Sequence, residues 1–432
     1  MNIVIVAQLL NPYTSIGGVR QYNMATELAR MGHTVFCVVS EDLQYESHPD
    51  YGSLRLFYIP VGKTGRRLSP LPKAPPDEKQ TQTPAPAPAP RKRSKLNRWL
   101  HMVEYQMLAM KAEQEWYHSA AAVCRKLLEE ENIDVLMTSY GPISNLLVGL
   151  EMKKAFPQIP WVSDIRDPVD SMHCQLVWRL RGAFLQKKML RRADRVVTVC
   201  DGITDRYKTM LPEKQRSKVQ TITNGYREEP ILCKPAEDGI LRIGYTGQLY
   251  HGTRDMSELF HCIHVLEQEL GADLPLEILY AGPHESTVMS QAEPYDAGKY
   301  VVSHGKISKE ASLRLQEKCD ILCVLTWNTV REQGVLTGKF LEYLRLRKPI
   351  LAIVTGDLAN AELSRRIADL HIGYSYEYVR HEEDFPKMKA WLEEALERKR
   401  ENQPLIGELD EEKLRAYAFP NLAKQMEQLL RF

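Results

Sequence analysis

Gly334-Val335-Leu336-Thr337-Gly338-Lys339-Phe340-Leu341-Glu342-Tyr343 stands between two short apolar runs, Ile321-Leu322-Cys323-Val324-Leu325 and Ile350-Leu351-Ala352-Ile353-Val354. Runs of this length and composition read as strands buried on both faces, and the stretch between them reads as a loop that opens a helix near Thr337. Strand, helix and strand in that order make a parallel crossover unit.

The same alternation extends outward through the whole chain. The first half offers strands at Ile3 to Val6, Thr34 to Val39, Leu54 to Ile59, Asp134 to Thr138, Trp161 to Asp164, Arg195 to Val199 and Val219 to Thr223. The second half adds Leu241 to Tyr245, Leu276 to Tyr280 and Tyr300 to Ser303 ahead of the two runs already quoted. Amphipathic stretches separate them, so the fold class is α/β with two doubly wound domains. The spacing places a first domain over 1–225, a linker over 226–239, a second domain over 240–415, and a last helical stretch over 416–432 that packs back on one of them. An excursion over about 60–95 interrupts the first domain, because Thr83-Pro84-Ala85-Pro86-Ala87-Pro88-Ala89-Pro90 removes amide donors and favours extended, flexible chain.

Composition narrows the function classes. Apolar residues at 44% and charged residues at 26% suit a globular protein with sizeable cores. Lys plus Arg (57) and Asp plus Glu (56) nearly cancel, which argues against a nucleic-acid partner. No apolar run approaches the roughly 20 residues that span a bilayer, and Met1-Asn2 runs directly into a strand, so the expected compartment is the cytoplasm. The eight cysteines form no CxxC pair and read as reduced core residues.

Two loops have the chemistry of an anion site. After the first strand, Ser15-Ile16-Gly17-Gly18 opens a helix; paired glycines let backbone amides approach a ligand, and the helix N-terminus favours phosphate. In the quoted stretch, a helix starting near Thr337 turns free amides and Lys339 toward an anion, with Glu342 one turn further along the same face. A carboxylate there can accept hydrogen bonds from both hydroxyls of a ribose; the competing account is a surface ion pair between Lys339 and a neighbouring acid. Ligands of doubly wound sheets bind at the carboxyl ends of strands, so the two loops are expected to face each other across a cleft.

On these residues the chain resembles the retaining glycosyltransferases of GT-B fold known as family 4. The markers are Gly17-Gly18, Ala193-Asp194-Arg195-Val196-Val197-Thr198-Val199, Ile222-Thr223-Asn224-Gly225-Tyr226, Ile243-Gly244-Tyr245-Thr246-Gly247-Gln248, Gly338-Lys339-Phe340-Leu341-Glu342-Tyr343-Leu344 and Lys348-Pro349-Ile350. The resemblance implies a GT-B fold and transfer of a sugar from a UDP- or GDP-sugar to a hydroxyl acceptor with retention, in bacterial surface polysaccharide or glycolipid assembly. It implies that Glu342 holds the ribose, that Thr337, Gly338 and Lys339 lie near the diphosphate with Gly17, Gly18, Gly247 and Gln248, and that Gly305-Lys306-Ile307 contacts the base. The nucleotide-sugar is a substrate, and no cofactor is implied.

Three departures from the family pattern stand out. Gly334 replaces an acid eight residues before Glu342, with Glu332 nearby. Gln248 and His251 replace a basic pair, leaving Arg254 to neutralise the diphosphate. Ser139-Tyr140-Gly141-Pro142 stands where a His is usual. They keep two rival functions in view: a nucleotide-sugar 2-epimerase of the same fold, and a non-catalytic nucleotide-sugar-binding subunit.

Ser163-Asp164-Ile165-Arg166-Asp167-Pro168 crowds three ionisable groups at a strand end, where Asp164, Arg166 and Asp167 are candidates to orient an acceptor hydroxyl or take its proton. Mutual pairing of Arg166 with its neighbours is the plainer account. His261 and His264 lie i,i+3 without a further ligand, and no metal is expected. Arg91-Lys92-Arg93-Ser94-Lys95, leading into Trp99, Val103, Met107 and Met110, and the basic stretch Trp178 to Arg192 suit either an anionic membrane surface presenting a saccharide or lipid-linked acceptor, or plain solvation.

Overall fold

The computed structural model describes residues 1–10, 16–41, 54–68, 95–169, 176–227, 229–231, 236–249, 253–271, 273–333 and 336–432. The Pro-rich run, Cys174, Cys233, His251 and Gly334 lie outside them. The chain divides into two units, one of Met1–Thr198, Tyr207–Gln220 and Ala423–Phe432, the other of Val199–Arg206 and Thr221–Leu422.

The first unit holds strands β1 (Asn2–Val6), β2 (Thr34–Ser40), β3 (Leu54–Ile59), β4 (Val135–Tyr140), β5 (Trp161–Ile165), β6 (Arg195–Thr198) and β7 (Val219–Thr221). They form one sheet in the order β3-β2-β1-β4-β5-β6-β7, parallel throughout β3 to β6. Ile3, Val4, Ile5 and Val6 are each fully buried, so β1 is covered on both faces, as its unbroken apolar run requires. The helices are α1 (Ile16–Arg30), α2 (Lys63–Leu68), α3 (Lys95–Glu130), α4 (Ile143–Ala155), α5 (Leu176–Arg192) and α6 (Asp201–Thr209), whose residues up to Arg206 belong to the second unit. α2 falls within the expected excursion, held where Thr64 Oγ1 donates to Glu115 Oε1 of α3 at 2.6 Å.

The second unit holds β8 (Leu241–Thr246), β9 (Leu276–Ala281), β10 (Val301–Ser303), β11 (Ile321–Trp327), β12 (Ile350–Thr355) and β13 (Gly373–Glu377), ordered β10-β9-β8-β11-β12-β13 and all parallel. Its helices are α7 (Ser257–Leu270), α8 (Glu285–Ala292), α9 (Lys309–Lys318), α10 (Gly338–Leu344), α11 (Glu362–Leu370), α12 (His381–Arg400), α13 (Glu411–Arg415) and α14 (Phe419–Leu430), whose last residues from Ala423 belong to the first unit. Alternate strand residues serve opposite faces: Ile243, Ile278, Cys323 and Ile353 pack with Phe260, Ile263, Met388 and Leu392 of α7 and α12. Leu279, Leu322, Val324 and Ala352 pack with Phe340, Leu344, Leu363 and Ile367 of α10 and α11. That is the period-2 alternation of a sheet sandwiched between helices.

Strand β13 escapes the sequence reading. Gly-Tyr-Ser-Tyr-Glu has no apolar run to betray it, because it is the edge strand beside β12 and half of it is only partly buried. Within the second unit, Glu362 of α11 accepts hydrogen bonds from the backbone N–H of Asp201 (2.8 Å) and Gly202 (3.3 Å), which satisfies free amides at the first turn of α6. The six described cysteines are free and buried, and burial pushes the thiols of Cys37, Cys124 and Cys262 up to about 12.

In both sheets the strand order reverses once, between β1 and β4 and between β8 and β11. In open α/β sheets that reversal opens a crevice beyond the carboxyl ends of the strands, where ligands bind. Each unit therefore has one edge where a ligand can bind.

Candidate active site

In the first unit, three strand ends and the start of α1 converge on a buried polar network. Arg20, on the first turns of α1, grips Asp164 at the end of β5 through Nη2 to Oδ1 (2.9 Å) and Nε to Oδ2 (3.2 Å). Their side chains are 4% and 0% exposed. Ser139 Oγ of β4 donates to Asp164 Oδ2 at 3.1 Å, and Gln21 Nε2 donates to Ser139 Oγ. Both oxygens of Asp164 are thus engaged in the interior. A carboxylate removed from water in this way must be paired, and the two-pronged guanidinium does that.

The neighbours of Asp164 differ from it. Arg166 donates from Nε to Tyr140 O (3.0 Å) and from Nη2 to Gly141 O (2.8 Å), bracing the loop after β4. Burial lowers its pKa, although a guanidinium stays charged. Gly141 has φ +107°, and a Cβ there would lie 2.4 Å from Arg166 Nη2, so this loop requires glycine. Asp167 is exposed. Gly17 and Gly18 lie in the first turn of α1, and Gly18 is buried. Asn145 of α4 closes the arrangement, accepting from Gln8 N (3.2 Å) and donating to Ser139 O (2.6 Å).

In the second unit, the backbone itself shapes the edge. Gly247 N donates to Ala281 O (2.8 Å), and Gly282 N donates to Gly305 O (2.9 Å), so the turns after β8, β9 and β10 are laced together. A Cβ on Gly282 would sit 2.1 Å from Gly247 O, a distance no side chain tolerates. Gly305 takes the left-handed conformation at φ +59°. Lys306 is exposed, and Ile307 packs against the core formed with α10 and α11. Gln248 is exposed, while its carbonyl accepts from Tyr245 OH (2.8 Å) and from Arg254 Nη1 (3.2 Å). The Arg254 guanidinium lies 5.8 Å from the centre of the Trp327 ring at the end of β11. Trp327 Nε1 donates to Glu332 Oε2 at 3.1 Å.

Helix α10 begins one residue later than the sequence suggests, with Thr337 as its cap: Thr337 Oγ1 accepts from Phe340 N at 3.4 Å. Phe340, Leu341, Tyr343 and Leu344 face the core, which leaves Gly338, Lys339 and Glu342 on the outer side. Lys339 Nζ lies 3.5 Å from Glu342 Oε2, with the two side chains 32% and 29% exposed. Nothing obstructs the Cα of Gly338.

The structure thus joins Gly247, Gln248 and Arg254 in one turn, Gly247 with Gly305 through Gly282, and Thr337, Gly338, Lys339 and Glu342 on one helix start. Asp164 is interior and Asp167 exposed, and Arg166 feels the charge of both. Arg20, Gln21, Ser139 and Trp327 are the residues the sequence reading missed; Arg20 and Asp164 are 144 positions apart, a separation with no motif to signal it. Among the described residues no cluster of three or more His, Cys, Asp or Glu could hold a metal ion. His261 stacks on Tyr295 with ring centres 5.1 Å apart and lies tilted against Phe385 at 4.5 Å.

Two parallel doubly wound sheets in one chain, each ordered around a single reversal, are the GT-B fold. Residues 17–225 match the family described as glycosyl transferase 4-like domain. Among solved structures it is similar to sucrose-phosphate synthase from Thermosynechococcus elongatus (12% identity, TM-score 0.62, covering 100% of this chain and 98% of that one). It is also similar to the lipopolysaccharide outer core galactosyltransferase WaaB in its apo form (10%, 0.57, 100% and 99%). A third similar structure is described as trehalose-6-phosphate from E. coli bound with UDP-2-fluoro glucose (11%, 0.60, 100% and 99%). No curated protein matches the chain significantly.

Proposed function

We propose that this glycosyltransferase takes its sugar from a UDP- or GDP-sugar held by the second unit and passes it, with retention, to a saccharide or lipid-linked hydroxyl in surface polysaccharide or glycolipid assembly. The observation that carries the reading is the start of α10. Lys339 and Glu342 share its outer side beyond the end of β11, beside the reversal between β8 and β11. Among the described residues each is held only by the other at 3.5 Å, so a ligand can displace that contact at small cost. In this reading Glu342 accepts the ribose hydroxyls, and Lys339 with the backbone at Thr337 and Gly338 meets the diphosphate. Arg254, braced on Trp327, supplies the second positive charge in place of the pair lost at Gln248 and His251. Those charges stabilise the nucleoside diphosphate as it leaves. Gly305, Lys306 and Ile307 border the base, and the absence of side chains at Gly247 and Gly282 lets backbone approach the donor.

In the first unit, Gly17 and Gly18 offer α1 backbone that a phosphate can approach. Asp164 serves as a positioning residue, since its oxygens are committed to Arg20 and Ser139. Arg166 braces the loop at Gly141, and exposed Asp167 is the group free to meet an acceptor hydroxyl. The similar structure described with bound UDP-2-fluoro glucose supports a UDP donor.

Titration calorimetry with UDP and GDP tests the donor site. Glu342→Ala is expected to weaken the preferred nucleotide about ten- to a hundredfold, the loss of charged hydrogen bonds to ribose. Unchanged affinity would remove Glu342 from the site, and release of an epimerised donor without acceptor would replace transfer by isomerisation.

A further inference from the structure

Helix α5 carries a feature that sugar transfer leaves unused. Its inner side, Gly182, Leu185, Gln186, Met189 and Leu190, is buried. Its outer side holds Leu180 and Phe184, 63% and 65% exposed, followed by Lys187, Lys188, Arg191 and Arg192, all exposed. Positions 180, 184, 187, 188 and 191 fall within about 100° of arc on a helix of 3.6 residues per turn. Two large apolar side chains and a row of cations therefore share one face. No Asp or Glu occurs anywhere in α5, and among the described residues none of Lys187, Lys188, Arg191 or Arg192 takes part in an ion pair.

A neighbouring helix also exposes large apolar side chains. Arg181 on the flank of α5 pairs with Glu113 of α3 at 2.8 Å, which brings α5 beside the helix that exposes Met102, Tyr105 and Met107. Isolated exposed leucines are ordinary in proteins, but aromatic and aliphatic groups gathered beside unpaired cations are not. A soluble acidic protein would complement the charge and leave Leu180 and Phe184 wet. A bilayer with anionic headgroups satisfies both: the apolar pair enters the acyl boundary while the lysine and arginine stems rise to the phosphates.

We propose that the outer face of α5 docks this enzyme on an anionic lipid surface. The proposal extends the reading of the acceptor as lipid-linked, yet it is tested without donor or acceptor. The full chain is sedimented with vesicles of phosphatidylglycerol and phosphatidylethanolamine, and separately with phosphatidylcholine vesicles. Binding is expected to the anionic vesicles alone and to fall as salt is raised. The triple variant Lys187→Ala, Lys188→Ala, Arg191→Ala is expected to lose about a hundredfold in partitioning, at about fivefold per cation. Leu180→Ser with Phe184→Ser is expected to lose about tenfold while nucleotide affinity and the unfolding midpoint hold, because both side chains already lie in water. Equal binding to both vesicle types, no binding to either, or undiminished binding by both variants would overturn it. A variant that keeps nucleotide affinity but leaves the vesicles separates failure of docking from failure of the donor site.

Discussion

The two strand-end edges hold their charges in opposite ways. At the first, Arg20 and Asp164 are almost wholly buried and joined by a two-pronged contact of 2.9 to 3.2 Å. At the second, Lys339 and Glu342 meet at a single contact of 3.5 Å with about a third of each exposed. An ion pair deep in the interior cannot be released to a substrate, since each partner would be left charged and dry. A loose pair at the surface can. One edge is therefore a scaffold that fixes loop geometry, and the other keeps its charge available.

The largest effect should come from breaking the scaffold. Asp164→Ala strands a buried guanidinium and is expected to destabilise the first unit by about 3–5 kcal/mol. It should be read as a fall in the denaturant midpoint with unchanged slope. Replacing both partners, Arg20→Met with Asp164→Leu, should recover much of that loss. If Asp164→Ala folded normally and lost only turnover, Asp164 would touch the acceptor and the scaffold assignment would fail.

A smaller effect is expected where the second edge is tight. Gly282→Ala sets a methyl 2.1 Å from Gly247 O, and a backbone atom cannot swing aside as a side chain does. The turn must shift, at about 1–3 kcal/mol. Nucleotide affinity should fall with it if the Gly247 turn borders the donor. Gly141→Ala offers the matching change at the first edge, where the atom in the way belongs to Arg166 and the cost comes from φ +107°. Loss of nucleotide affinity in the Gly141 variant alone would reverse the roles of the two edges.

How much of this the sequence disclosed follows from which forces it records. Core strands such as Ile3 to Val6 and Ile350 to Val354 announce themselves because a strand buried on both faces must be apolar throughout. Edge strand β13 does not, because half-exposed Tyr374 and Ser375 need no apolar neighbour in sequence. The start of α10 was legible because Thr337, Gly338, Lys339 and Glu342 are local in the chain. The Arg20–Asp164 pair was not, because its members stand 144 positions apart, whereas Asp164, Arg166 and Asp167 adjoin in the chain. Proximity in sequence suggested a trio; packing made one member structural, one a brace and one solvent-facing.

The smallest effect is the most discriminating. A double-mutant cycle of Lys339→Met and Glu342→Gln in the absence of nucleotide should give a coupling of about 0.2–0.5 kcal/mol, the usual size for exposed helix neighbours. Each single change should leave the unfolding midpoint nearly unmoved. The same cycle with saturating nucleotide should show the two residues acting through the ligand instead, each lowering affinity with little regard for the other's presence. A coupling above about 1 kcal/mol without nucleotide would mark a fixed ion pair. Glu342 would then have to be stripped from Lys339 before it could accept a ribose hydroxyl, and the helix start would fall into the same class as Arg20 and Asp164.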